Sequence, residues 1–241
     1  MEYDEQEARK TEQGYLAPEI IRQRMRTLDA LGLRAGERVL DVGCGPGLLA
    51  YDMALEVGPG GQVVGLDNSS AMLRLAEQRC EHLSQVVLKE GVAENLPEDD
   101  RSFDAVACSQ VLLYVADVSR AVAEMHRVLK PGGRIAVIET DWRGVVLSAS
   151  DQDLSRRILA AWDDAVPSPH LPVRMGPLMR KQGFAAIQVE AVPILSTSYA
   201  PNNFSMGMAE QIAQIACERG AISEDDATAW LEDLRRLGGE G

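Results

Sequence analysis

The nine residues Val39-Leu40-Asp41-Val42-Gly43-Cys44-Gly45-Pro46-Gly47 constrain this chain more than any other stretch of it. Val39 to Val42 is an apolar run broken by one acid, as in a parallel strand buried on both faces. Glycines then stand at alternate positions, and Leu48, Leu49, Met53 and Ala54 follow as an apolar helix pattern. Strand, glycine turn and helix N-terminus together form a cradle for a nucleotide-type ligand. The spacing discriminates between ligands. A dinucleotide fingerprint, G-x-G-x-x-G, counted from Gly43 would place its third glycine where Leu48 stands. Here the pattern is G-x-G-x-G, with Pro46 where a helix opens without needing an N–H. A nicotinamide-dependent oxidoreductase is disfavoured on that spacing.

A second strand, Val63-Val64-Gly65-Leu66-Asp67, ends on an acid. A carboxylate at a strand end accepts hydrogen bonds from both ribose hydroxyls and repels a 2′-phosphate. The two strands together call for an adenosine-type ligand and do not demand a pyrophosphate.

Four signatures in order then carry a resemblance. They are Asp41 to Gly47; Gly65-Leu66-Asp67-Asn68-Ser69-Ser70-Ala71-Met72; Gly91-Val92-Ala93-Glu94-Asn95-Leu96-Pro97; and Arg127-Val128-Leu129-Lys130-Pro131-Gly132-Gly133. Over roughly residues 36–142 the chain resembles the class I S-adenosylmethionine-dependent methyltransferases, in particular the ubiquinone/menaquinone-biosynthesis methyltransferase-like group. The resemblance implies S-adenosylmethionine as cofactor, S-adenosylhomocysteine as product, and a small-molecule acceptor methylated at oxygen or carbon. Quinone-like or natural-product-like acceptors lead on the resemblance alone. The alternative is a protein of this fold that binds S-adenosylmethionine without transferring methyl.

It also implies roles. Backbone at Gly43, Cys44, Gly45 and Gly47 approaches the methionine moiety, and Asp41 faces its ammonium. Asp67 takes the ribose hydroxyls, while Asn68 and Met72 flank the adenine. Relatives place Asp at Val92, where its carboxylate accepts from the adenine amino group; Val92 cannot, which leaves a backbone N–H of Ala93, with Glu94 beside it. Gln110, ending the fourth strand, is a further cofactor contact. Tyr15, Tyr114, Trp142 and Arg143 are the candidate substrate contacts. Asp141, after the fifth strand, and His170, on a proline-rich loop, are the candidate catalytic groups, whereas His82 and His126 read as structural.

Net charge is −13. Without a basic patch, a nucleic-acid substrate is disfavoured. Cys44, Cys80, Cys108 and Cys217 show neither C-x-x-C nor Cys/His metal spacing, so no metal is expected. No signal peptide or membrane-length apolar run is present, and the chain reads as cytoplasmic, a monomer or a homodimer.

At 241 residues one α/β domain with a helical appendage is expected: an N-terminal helical segment 1–35, a cofactor-binding core 36–195 and a C-terminal helical cap 196–241. The fold class is a Rossmann-like, doubly wound, mostly parallel sheet with helices on both faces. Residues 1–17 read as loosely held until a ligand or partner orders them. Helices are expected at 18–31, 69–82, 118–129, 151–165, 174–182, 204–219 and 224–237. Strands are expected at 85–90, 103–111, 134–140 and 186–192. The late helices are expected across the cofactor mouth. The terminal antiparallel strand of relatives has no counterpart, and the natural protein is expected to continue past Gly241.

Overall fold

The computed structural model describes residues 4–196 and 204–239. Five strands, β1 (Arg38–Val42), β2 (Gln62–Asp67), β3 (Val86–Glu90), β4 (Phe103–Ser109) and β5 (Leu129–Ile138), form one parallel sheet in the order β3-β2-β1-β4-β5. Chain order reverses at β1, so a crevice opens between the carboxyl ends of β1 and β4. Val42 stands level with Leu66 and with Cys108, which brings three strand ends to one rim.

Alternation along the strands divides the core into two layers. Val39, Val63, Ala105 and Ala107 pack with Leu31 of α2 (Pro18–Leu31) and with Leu49 and Met53 of α3 (Leu48–Val57). Leu40, Val64, Val106 and Cys108 face the other way, onto Val122 and Met125 of α5 (Val118–Val128) and Met175 of α7 (Pro172–Lys181). A third layer joins α6 (Gln152–Asp163), α8 (Phe204–Glu218) and α9 (Glu224–Gly239) around Trp162, Ile212 and Trp230. The Trp230 indole N–H donates to Ser155 Oγ at 2.9 Å. Ser223 caps α9: Asp226 N–H donates to its hydroxyl, and its own N–H donates to the Asp226 carboxylate.

Three expectations are corrected. Residues 5–15 are not loose but form α1 (Glu5–Tyr15), started by a reciprocal cap in which Asp4 accepts from Glu7 N–H and Glu7 accepts from Asp4 N–H. Ala8 docks on Ala71, Met72 and Leu75 of α4 (Ser70–Cys80). Residues 186–192 form no strand. Gly183 and Ala186 both adopt positive φ, and the chain then runs past the sheet with Val189 87% exposed. Among the described residues nothing pairs with the outer edge of β5. Finally, β5 begins at Leu129 rather than Arg134: Phe103 pairs with Leu129 and Ala105 with Arg134, so Lys130 to Gly133 bulge out of an otherwise continuous strand.

Candidate functional site

The loop after β1 is tied to β2 from underneath. The N–H groups of Gly43 and Cys44 both donate to Leu66 C=O, at 2.7 and 2.9 Å. Asp67 reinforces the link: one carboxylate oxygen accepts from Gly45 N–H at 2.8 Å, the other from Ser69 N–H at 2.9 Å. A carboxylate has about four acceptor positions, so two backbone bonds leave room for two ribose hydroxyls.

All three loop glycines have positive φ, but each serves differently. A Cβ on Gly43 would overlap the Val111 side chain. One on Gly47 would come within 2.8 Å of Ala76, locking α3 against α4. A Cβ on Gly45 would meet nothing within 4 Å. Gly45 therefore borders open space, as a glycine reserved for a ligand must, whereas the other two let the protein approach itself.

Asp41 is 1% exposed. The Ala50 N–H, in the first turn of α3, steadies its carboxylate, yet Oδ2 is buried with no partner among the described residues. Burial, with the nearby Asp67 charge, raises its pKa to about 7. A lone anionic acceptor at such a rim is a socket for a cation. Beside it, the Cys44 thiol is pushed well up by burial and the Asp41 charge, so it fills space rather than acting as a nucleophile.

Asp41, Gly43, Cys44, Gly45, Asp67, Asn68, Met72, Val92, Ala93, Glu94 and Gln110 line one continuous cavity of about 2970 Å³, together with Tyr15, Tyr114, Asp141 and Trp142. Ligand pockets commonly hold about 300–1,000 Å³, so this space joins a cofactor crevice to a groove alongside β5 and α8. Of the last two helices α8 walls it, through Met206, Met208, Ile212 and Ile215, whereas α9 packs behind.

Gln110, at φ 58°, joins the ends of β4 and β5: its amide oxygen accepts from Thr140 N–H at 3.2 Å and from the Thr140 hydroxyl at 3.0 Å. Val92 is 45% exposed. Tyr15 carries the end of α1 into the crevice, and its phenol pKa is raised by burial and then by Asp67 and Glu139.

Gly47, Arg143 and His170 are absent from the cavity lining. His170 lies between two acids, Nδ1 3.6 Å from Asp141 and Nε2 3.3 Å from Asp163. That arrangement braces α6 against the loop after β5. Arg143 points to solvent, its N–H donating to Asp141 at 3.2 Å. A cavity-lining acid absent from the sequence reading is Glu139, whose Oε2 is buried without a partner among the described residues. Its signal was present: an acid closing the apolar run Ile135-Ala136-Val137-Ile138, as Asp67 closes β2.

The fold and this rim define a Rossmann-like nucleotide-cofactor protein. A family model described as a methyltransferase domain matches residues 33–169, more than half of the chain. The chain belongs to that family and is a class I S-adenosylmethionine-dependent methyltransferase by family. It is 39% identical over 170 residues to an uncharacterized 37.1 kDa protein in transposon TN4556 of Streptomyces fradiae, covering 70% of this chain and 49% of that protein. It is 38% identical over 117 residues to the demethylmenaquinone methyltransferase of Staphylococcus carnosus, 48% of each. The chain thus spans about half the length of these curated relatives. The solved structure of the cyclase SpnF matches with a TM-score of 0.60 at 24% identity, over 91% of this chain and 74% of that one. At that identity the likeness concerns the fold.

Proposed function

We propose that the protein transfers the methyl group of S-adenosylmethionine to an oxygen or carbon of a small, largely apolar acceptor of quinone-like or natural-product-like kind. The observation that carries this reading is the pair of carboxylates at the rim, Asp41 with an unpartnered buried oxygen and Asp67 with spare acceptor positions, on either side of the open space at Gly45. S-adenosylmethionine brings an ammonium, a sulfonium and a ribose diol, which suit two anions. A dinucleotide would bring a pyrophosphate against the same anions, at a Coulombic penalty.

When bound, the cofactor supplies a methyl group already activated on a cationic sulfur. The chain's own residues then have to orient and to exclude water. Asp41 holds the amino-acid end, Asp67 the ribose, and Val92 and Ala93 border the adenine. Methionines and isoleucines of α8, with Trp142 and Tyr114, offer an apolar and aromatic wall to the acceptor. The Staphylococcus carnosus relative, named for demethylmenaquinone, supports a quinone-like acceptor. Free Cys44, Cys80, Cys108 and Cys217 suit a reducing cytoplasm, and no described helix is long and apolar enough to cross a membrane.

Binding without methyl transfer is the second reading. Val92, which offers no side-chain acceptor where relatives carry an aspartate, favours it. Methyl-labelled S-adenosylmethionine incubated with a panel of quinols, phenols and polyketides separates the two. The proposal expects label in the organic extract with at least one acceptor. Tight cofactor binding with label in none favours the second reading.

A further inference from the structure

Glu139 follows the last residue of β5 and lines the cavity. Its Oε1 accepts from two backbone N–H groups, Val111 at 3.1 Å and Leu112 at 2.7 Å. Its Oε2 is buried and has no partner among the described residues. Leaving a carboxylate oxygen in that state costs free energy that a purely structural bracket would avoid by placing a donor there. Burial raises the Glu139 carboxyl to about 7, against the opposing pull of its backbone hydrogen bonds.

The titratable groups around it are Tyr15 from α1, Tyr114 from the turn after β4, and Cys108 on β4; burial raises all three, and the charge of Glu139 raises each further. Asp41 also acts on Cys108, and Asp67 on Tyr15. No cation contributes to the Glu139 shift. An acid in this setting binds protons near neutrality, as a general base needs.

Its place in the site is equally specific. Val111, whose N–H holds Glu139, is the residue that Gly43 abuts, so the carboxylate is braced against the cofactor loop itself. By contrast Asp141 already accepts from Arg143 N–H and lies beside His170.

We propose that Glu139 is a catalytic residue whose free oxygen takes the proton from a phenol- or quinol-type hydroxyl on the acceptor. This rests on the methyl-transfer reading and narrows it to acceptors with an acidic hydroxyl, methylated at oxygen. The acceptor oxygen forms its bond to the methyl carbon as the carbon–sulfur bond breaks, and that electron pair stays on sulfur. The hydroxyl proton passes to Oε2. The sulfonium and carboxylate charges are both discharged, giving a neutral ether, a neutral thioether and a neutral carboxylic acid.

The test is binding, not turnover. Naphthol and its methyl ether differ only in the hydroxyl, and each is titrated calorimetrically into protein saturated with S-adenosylhomocysteine. Wild type should prefer naphthol by about tenfold or more, the worth of a charge-assisted hydrogen bond. Glu139→Gln keeps an oxygen for the Val111 and Leu112 N–H groups and turns the free position into a donor. It should bring the two ligands within about threefold while S-adenosylhomocysteine affinity changes by less than about twofold. On wild type the preference should rise as pH passes upward through about 7, where Glu139 ionises. That series needs no variant and decides the matter if Glu139→Gln does not fold. An equal preference in both proteins, or no naphthol preference on wild type at any pH, overturns the proposal. Failure of the methyl-transfer reading shows separately, as absent S-adenosylhomocysteine binding, and the naphthol comparison then runs on unliganded protein.

Discussion

Asp41 couples the charge of the rim to the stability of the molecule. Burial, with the nearby Asp67 charge, holds its carboxyl at about 7 in the folded protein, well above the ordinary 3.8 of an aspartate. A raised acid contributes stability that is complete below about pH 4 and is lost as pH climbs through about 7. Asp41→Asn removes that loss. The variant's melting temperature relative to wild type, both without ligand, should therefore rise by several degrees from pH 5 to pH 8, read by thermal denaturation. A difference that stays constant with pH would mean the acid is paired. The glycines make a second contrast. Gly45→Val should no longer bind S-adenosylhomocysteine, because the side chain fills the open space at that position, and the positive φ there, which a β-branched residue resists, should also lower its melting temperature. Gly47→Ala should instead destabilise by about 2 kcal/mol or more, since the new methyl meets Ala76 and φ stays positive. Val92 is half exposed, so Val92→Asp places a solvated acceptor at the proposed adenine edge. Titration should show S-adenosylhomocysteine bound several-fold more tightly, about one hydrogen bond. Weaker binding would identify an apolar contact there. The glycine pattern was legible in sequence because backbone conformation is local. What Gly43 and Gly47 abut was not, because Val111 and Ala76 reach the loop only through the fold.

At the scale of elements, α1 clamps the rim. Arg79 of α4 donates to Pro46 C=O at 2.9 Å and also pairs with Glu12 of α1, so helix, loop and α4 are joined through one guanidinium. Ala8→Arg cannot be accommodated where Ala8 is 1% exposed. It should unseat α1 and lower S-adenosylhomocysteine affinity by about tenfold, with little loss of melting temperature, because α1 contributes a single residue to the buried clusters. Hydrogen exchange confined to residues 4–15 checks the mechanism. A global rise in exchange would contradict it. That single buried alanine is also why α1 was not legible: its periodicity carries almost no apolar signal, and the cap at Asp4 and Glu7 is its main local mark. The β-branched run at 186–192 misled in the opposite direction, since β-propensity expresses itself only where an edge takes the strand, and positive φ at Gly183 and Ala186 redirects the chain first.

For the whole molecule, the parallel sheet and its crevice followed from alternating strand and helix patterns, because each layer buries its own periodicity. The cap did not follow as fully. That α8 faces the cavity and α9 does not depends on how Trp162, Ile212 and Trp230 pack, a long-range matter. The proposed fit to S-adenosylmethionine rests on the two carboxylates of the rim, Asp41 and Asp67. Calorimetric titration of S-adenosylhomocysteine into wild type and Asp67→Ala, with NAD as the comparison ligand, tests it most directly. The Asp67 carboxylate should contribute about 1.5–3 kcal/mol through charge-assisted bonds, so the variant should lose more than about tenfold in affinity. NAD should not compete. Unchanged affinity in folded Asp67→Ala, or NAD binding as tightly as S-adenosylhomocysteine, would mean that the rim does not select S-adenosylmethionine.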